Sequence, residues 1–202
     1  VTDDDVQAQI ERLALWNDRS EKLIQQNHPD LGWLFYDKNG DGSPDGGHAG
    51  AFGFMDVIEV HPVDAAWDLR NLDEKPHGWN HRIFHWLQIL NDGYRIPGVV
   101  NTDAHYNFHG SGGLRNWLES PTDDPARVQI LDTVHASEHG HVVMSNGPFL
   151  RVYAKTTSGE GDTAGGELTA PDGKVTLDIQ VQSPNWIDVD EVFLLINGRL
   201  DP

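Results

Sequence analysis

The chain contains no cysteine among its 202 residues. Disulfides and thiolate ligands are thereby excluded, so any transition-metal site has to use histidine and carboxylate side chains. Basic residues are also few, because 14 Lys and Arg stand against 32 Asp and Glu, a formal net charge of −18. This charge repels nucleic acid and anionic membrane surfaces and attracts cations. No apolar run reaches the roughly 18 residues of a membrane span. We therefore expect neither a nucleic-acid partner nor a membrane span.

The first part of the chain, to about residue 148, alternates helical periodicity with short apolar runs. This alternation is typical of an α/β arrangement, which places ligands at the carboxyl ends of its strands. Helices are predicted near the N-terminus, over residues 79–92 with a stop at Gly93, and from Pro125 towards Gly140 with Asp124 as its cap. Residues 54–60 have the composition of a strand.

From Phe149 onward the pattern changes to that of antiparallel β-structure. Residues 174–182 alternate apolar and polar side chains, which predicts a strand with one buried face, and residues 156–166 read as a loop. Residues 191–196 read as a buried strand followed by an Asn197-Gly198 hairpin turn. We expect two parts, 1–148 and 149–202, the second being the start of a β-sandwich-like domain in a fragment of a larger protein.

A candidate metal site starts from the tripeptide Asp103-Ala104-His105, which follows an apolar run over residues 96–100. If strand geometry continues to this loop, side chains two apart point the same way, so the carboxylate and the imidazole converge on one cation. Upstream, Pro29 biases His28 towards an extended conformation, just after the predicted first helix. The sequence therefore predicts His28, Asp103 and His105 as metal ligands. The alternative is an ordinary polar turn.

Three further side chains are candidates for supporting roles. Glu59 either hydrogen-bonds a ligand histidine or simply ends a strand. His109, in a Gly-rich loop, suits a lid or a substrate contact, and its alternative is a mobile loop without a role. Arg115 suits an anionic substrate, although a surface salt bridge is the commoner role of an exposed arginine.

Other histidines give weaker signals. His81 and His85 stand four apart on a predicted helix and are more often surface or packing residues than ligands. His135, His139 and His141 follow no established ligand spacing.

A separate acidic loop resembles the start of a calcium-binding loop. It places oxygen-bearing side chains at alternate positions and a glycine after the third of them: Asp37, Asn39, Asp41, Ser43 and Asp45. His48 stands at the twelfth position, where a bidentate glutamate is expected. The loop is therefore either a structural calcium site or an unliganded acidic turn.

Five motifs in order resemble the polymerase and histidinol phosphatase (PHP) superfamily, in particular its carbaryl-hydrolase-like CehA/McbA branch. They are His28-Pro29, the strand at 57–60, the segment 90–97, Thr102-Asp103-Ala104-His105 and 145–149. The resemblance covers about residues 20–150.

The resemblance implies a distorted βα barrel that holds two or three divalent ions, commonly Zn, Mn or Fe. His28 matches the histidine of the family's His-Pro motif, and Asp103 and His105 match its closing Asp-x-His pair. The family's opening His-x-His motif has no counterpart before residue 28. The chain is thus expected to be the C-terminal portion of such a barrel and inactive by itself.

The resemblance predicts a metal-dependent hydrolase of small-molecule ester or phosphoester substrates, completed by the remainder of its own polypeptide. The competing prediction is a non-catalytic, calcium-stabilised extracellular binding module, suggested by the acidic loop and the β-rich tail. A calcium-type loop favours a secreted or periplasmic location, but the net charge equally fits a salt-adapted cytoplasmic protein.

Overall fold

A computed structural model describes residues 6–27, 49–60, 82–106 and 112–200. These residues fall into two compact units, one of residues 1–99 with 192–202 and one of residues 100–191. Within the described residues several small sheets accompany the helices and no closed barrel is present, so the barrel fragment stays a prediction.

The first unit is built on a sheet of three short parallel strands. In sheet order these are β1 (Gln25–Gln26), β2 (Val57–Glu59) and β3 (Gly98–Val99). Because they are parallel, all three strands end at the same edge of the sheet. Val57 and Ile58 are fully buried, as expected for the central strand of a covered sheet.

Helices alternate with these strands along the chain. They are α1 (Val6–Ala14), the short α2 (Trp16–Arg19), a 3₁₀ helix at Ala49–Phe54 and α3 (Arg82–Asn91). The predicted helix over 79–92 is confirmed for the described residues. It ends at Asn91, and Gly93 stops it there with a φ of 92°, which only glycine adopts without strain. The indole Nε1 of Trp86 donates to the Ile96 carbonyl at 2.8 Å, which fastens α3 to the segment that leads into β3.

The half-buried carboxylate of Asp56 holds the segment that leads into β1. The Ile24 amide donates to Asp56 Oδ2 at 2.5 Å. Burial raises the pKa of Asp56, an effect larger than the opposing ones of the Ile24 hydrogen bond and of nearby Lys22. The Lys22 ammonium donates to the carbonyls of Ala14 and Trp16 at 3.1 and 2.9 Å, which satisfies acceptors at the end of α1 and the start of α2.

The predicted hairpin turn at Asn197-Gly198 is confirmed. Both residues have positive φ, 51° and 74°, and they join β9 (Leu195–Ile196) to β10 (Arg199–Leu200) in antiparallel pairing. The prediction of a buried strand over 191–196 is wrong, because strand structure begins only at Leu195 and Val192 is 55% exposed.

The second unit contains two antiparallel sheets. One pairs β4 (Arg115–Leu118) with β5 (Val142–Ser145), and the other has the order β7 (Gly161–Thr163), β6 (Phe149–Thr156), β8 (Val175–Gln182). A tight turn joins the sheets, in which the Ser145 hydroxyl donates to the Pro148 carbonyl and accepts the Gly147 amide. Strand β7 lies inside the stretch that the sequence suggested was a loop.

The strand predicted over 174–182 is present as β8, but the prediction of a buried face is wrong. Its apolar residues Val175, Leu177, Ile179 and Val181 are 37% to 47% exposed. Alternation of residue type sets which side chains share a face, whereas burial requires another layer against that face.

Helix α4 (Ile130–Glu138) begins later than the sequence suggested. Asp124 caps a separate turn, because its Oδ1 accepts the Ala126 amide at 3.0 Å. The helix begins where the Gln129 amide donates to Asp132 Oδ2 at 3.0 Å. Its buried side is formed by Val134, Ala136 and Ser137.

Candidate functional site

The segment that follows β3 is anchored by Asn116. Its side-chain amide accepts from the Val100 amide at 2.9 Å and donates to the Val100 carbonyl at 2.9 Å. Asn116 thus satisfies both backbone groups of a buried residue, as a neighbouring strand would. It fixes the chain three residues before Asp103.

Thr102 links the start of the segment that contains Asp103 and His105 to the residues that follow it, from Gly112 onward. Its hydroxyl accepts the amides of Gly112 and Leu114 at 3.2 and 3.4 Å. The two ends of the stretch that contains Asp103 and His105 are therefore tied together by hydrogen bonds.

Asp103 and His105 meet through a turn rather than through strand alternation. The strand ends at Val99, and Asp103 has a φ of 51°, in the left-handed region that aspartate tolerates better than most residues. His105 Nδ1 lies 2.7 Å from the Asp103 carbonyl oxygen and 3.5 Å from Asp103 Oδ1. Because a carbonyl only accepts, Nδ1 carries the ring proton here. Both side chains are exposed.

The supporting candidates differ in burial. Glu59 is the last residue of β2 and only 2% exposed. A carboxylate this buried is stable only with hydrogen-bond or charge partners. Arg115 opens β4, where its backbone pairs with Ser145, and its side chain is exposed.

Several predicted site residues lie outside the described part of the chain. They are His28, His109 and the acidic loop of Asp37, Asn39, Asp41, Ser43 and Asp45. Among the residues that are described, no group of three or more His, Asp or Glu side chains is arranged to hold a metal ion. The metal-binding and substrate-binding roles predicted for His28, His109 and the acidic loop stay predictions.

A second cluster of titratable side chains forms at the carboxyl end of α4. The Gly140 amide donates to the Ser137 carbonyl at 3.0 Å and the His141 amide to the Ala136 carbonyl at 2.9 Å. With Gly140 at a φ of 73°, this is a Schellman motif, which reverses the chain at the end of the helix. The reversal brings the rings of His139 and His141 to a centroid separation of 6.0 Å.

Each of these two rings has a hydrogen-bond acceptor at Nδ1. His139 Nδ1 lies 2.7 Å from the His135 carbonyl oxygen, and His141 Nδ1 lies 2.9 Å from Glu119 Oε2. The second contact arises because the Glu119 amide donates to the His141 carbonyl at 3.1 Å, which extends the β4–β5 ladder by one position. Cross-strand neighbours at such a position have adjacent side chains.

An open cavity of about 310 Å³ lies over this cluster and is also lined by Asp132 and His135. Sequence reasoning missed the cluster because His135, His139 and His141 do not share one ligand spacing. Two signals were available: the four-residue spacing of His135 and His139 on one helix face, and the His-Gly-His sequence that ends the helix. The pairing of Glu119 with His141 depends on strand register and was not readable from the sequence.

Searches with protein-family models, among curated proteins and among solved structures found no match to this chain. None of the helices in the described ranges is long and apolar enough to cross a membrane.

Proposed function

We propose that this chain is part of a metal-dependent hydrolase of ester or phosphoester bonds, with His28, Asp103 and His105 as ligands of a divalent transition metal. The observation that carries the proposal is the parallel order β1-β2-β3. In the sequence His28 comes two residues after β1, and Asp103 comes four residues after β3. Open α/β sheets bind ligands beyond the carboxyl ends of their parallel strands.

The described donor pair, Asp103 and His105, fits such an ion in its chemistry. Imidazole and carboxylate together suit Zn, Mn or Fe, and the chain offers no thiolate. With Nδ1 donating to the Asp103 carbonyl, His105 would offer Nε2 to a metal, the usual arrangement of a ligand histidine. The Asp103 carboxylate lies beside this ring, with Oδ1 3.5 Å from Nδ1.

When bound, the metal would lower the pKa of a water molecule and stabilise the negative charge that develops on the substrate oxygen. The protein's contribution is to hold the donor atoms in place before binding. Asn116 and Thr102 do so through the hydrogen bonds that fix both ends of the Asp103 loop. Glu59 is proposed as the carboxylate that orients a ligand histidine, and Arg115 and His109 as contacts for an anionic substrate.

The test is an Asp103→Ala substitution in the full-length protein. We expect loss of bound transition metal by elemental analysis, together with loss of hydrolysis of nitrophenyl ester and phosphoester substrates by at least about 100-fold, because a ligand is removed. Asp123→Ala is the matched control, since Asp123 is also an exposed aspartate of the second unit.

Unchanged metal content in Asp103→Ala would overturn the assignment of Asp103. An intact polypeptide that hydrolyses none of these substrates but is stabilised by Ca²⁺ would instead support the binding module.

A further inference from the structure

We propose a second divalent-metal site at the carboxyl end of α4, in which His139 and His141 are the ligands and Glu119 orients His141. This site is independent of the proposed hydrolase centre and uses none of its residues. Its ion is of the zinc class, because two imidazoles supply the protein donors.

The hydrogen bonds at Nδ1 prepare both rings for metal binding. The His135 carbonyl and the Glu119 carboxylate are acceptors, so each contact places a proton on Nδ1 of His139 or His141. In the neutral rings the lone pair is then on Nε2. A metal-bound histidine almost always donates its other ring nitrogen to a backbone carbonyl or a carboxylate, and this pair shows one example of each.

The distance between the rings suits one shared ion. With a Zn–N distance of about 2.0–2.1 Å, each ring centroid lies about 3.2 Å from the metal, so two ligating rings are about 5 Å apart at the tetrahedral angle and at most about 6.4 Å apart. The centroids of His139 and His141 are 6.0 Å apart. This separation lies between the tetrahedral value and the maximum.

The electrostatic surroundings favour a cation. The carboxyl end of a helix carries partial negative charge, and α4 ends at Glu138, directly before His139. Glu119 adds a full negative charge, and Asp132 lines the same cavity. The cavity is open, so water can occupy the remaining coordination positions.

An ion held here would join the end of α4 to the start of β5. Because the hydrogen bonds at Nδ1 exist only in the folded arrangement, the ion would bind that arrangement more tightly than the unfolded chain and would stabilise the second unit by mass action. The expected role of the ion is therefore structural: it would stabilise the connection between α4 and β5.

The experiment titrates Zn²⁺ into the untagged full chain in an Asp103→Ala/His105→Ala background, which removes the described ligands of the hydrolase centre. Calorimetry is expected to show one zinc equivalent, with a rise in thermal midpoint. In long-range ¹H–¹⁵N spectra of the histidine rings, zinc is expected to move the Nε2 signals of His139 and His141 and to leave their Nδ1 protons in place.

Substitutions then test the ligands separately. His139→Ala and His141→Ala are each expected to weaken zinc binding at least 10-fold. Glu119→Gln is expected to weaken it by about 10- to 100-fold, the usual effect of losing a carboxylate that orients a ligand histidine. Glu160→Gln, an exposed residue of the same unit, removes the same charge elsewhere and should leave affinity unchanged.

No zinc binding in the double-variant background would overturn the proposal, and so would zinc shifts confined to histidines other than 139 and 141. The ring spectra require no substitution at the site, so they remain decisive even if a histidine variant unfolds. Because the background already lacks Asp103 and His105, failure here leaves the proposed hydrolase function untouched.

Discussion

Replacing Asn116 with alanine tests the anchor that holds the chain before Asp103. The substitution removes two hydrogen bonds of 2.9 Å and leaves the amide and the carbonyl of buried Val100 without these partners. Each bond contributes about 0.5–1.5 kcal/mol net, and a buried group left unsatisfied costs about 1–3 kcal/mol. Asn116 is half-buried, so some water reaches the gap. We expect the free energy of unfolding to fall by about 2–3 kcal/mol.

Two measurements follow this loss. Chemical denaturation gives the free energy of unfolding, and amide hydrogen exchange at Val100 should become about 30- to 140-fold faster, because 1.4 kcal/mol corresponds to a factor of about ten. Asn146→Ala, at an exposed asparagine of the same unit, is the control and should change stability by less than about 0.5 kcal/mol.

Asn116→Asp separates the two hydrogen bonds. An aspartate still accepts the Val100 amide, but at pH 7 its second oxygen faces the Val100 carbonyl and repels it. Protonation restores a donor, so the deficit of Asn116→Asp should shrink as the pH falls towards the ordinary carboxyl pKa of about 3.9. If Asn116→Ala matches Asn146→Ala in stability and in Val100 exchange, Asn116 is not an anchor and the account of a preorganised loop is refuted.

Two further predictions concern the surroundings of the candidate sites. A Cβ on Gly165 would overlap the backbone of His139, whereas a Cβ on Gly173 meets nothing within 4 Å, and both glycines have positive φ, 84° and 69°. Gly173→Ala should therefore cost about 1–2 kcal/mol from backbone strain alone, and Gly165→Ala about 1–3 kcal/mol more from overpacking; equal losses in denaturation would exclude the close approach. Burial raises the pKa of Asp56, so its ionised form lowers stability at pH values above that pKa and has no such effect below about 3.8. Asp56→Asn, which can still accept the Ile24 amide, should raise the unfolding free energy relative to wild type more at pH 7 than at pH 3, and a difference independent of pH would contradict this.

The sequence correctly predicted those elements that depend on the conformational preferences of their own residues. Gly93 ends α3 and Asn197-Gly198 forms a hairpin turn, because positive φ is a property of those residues themselves. The apolar–polar alternation of residues 174–182 predicted strand β8, because successive side chains of a strand point to opposite faces.

The start of α4 and the burial of β8 could not be predicted from local residue preferences, because they depend on contacts with other parts of the chain. The start of α4 was misjudged because Asp124 and Pro125 are equally good turn formers, and the choice between turn and cap depends on the Gln129–Asp132 interaction five residues later. Burial of the apolar side of β8 was inferred from its pattern alone, although it depends on what packs against the strand.

The same distinction applies to the candidate sites. Asp103 and His105 were found because they are two residues apart, but their meeting through a left-handed residue was not foreseen. Glu119 and His141 are 22 residues apart and become neighbours only through the register of β4 and β5.

The exposed apolar residues of β8 have a consequence for handling this chain in solution. Among the described strands β8 lies at the outer edge of its sheet, paired on one side only with β6. A strand of eight residues with one free edge and a water-facing row of aliphatic side chains is a template for adding a strand from another molecule. Lys174 and Asp178 supply the charges that oppose such growth. Self-association should consequently depend on protein concentration and ionic strength, because salt screens the repulsion between these acidic molecules.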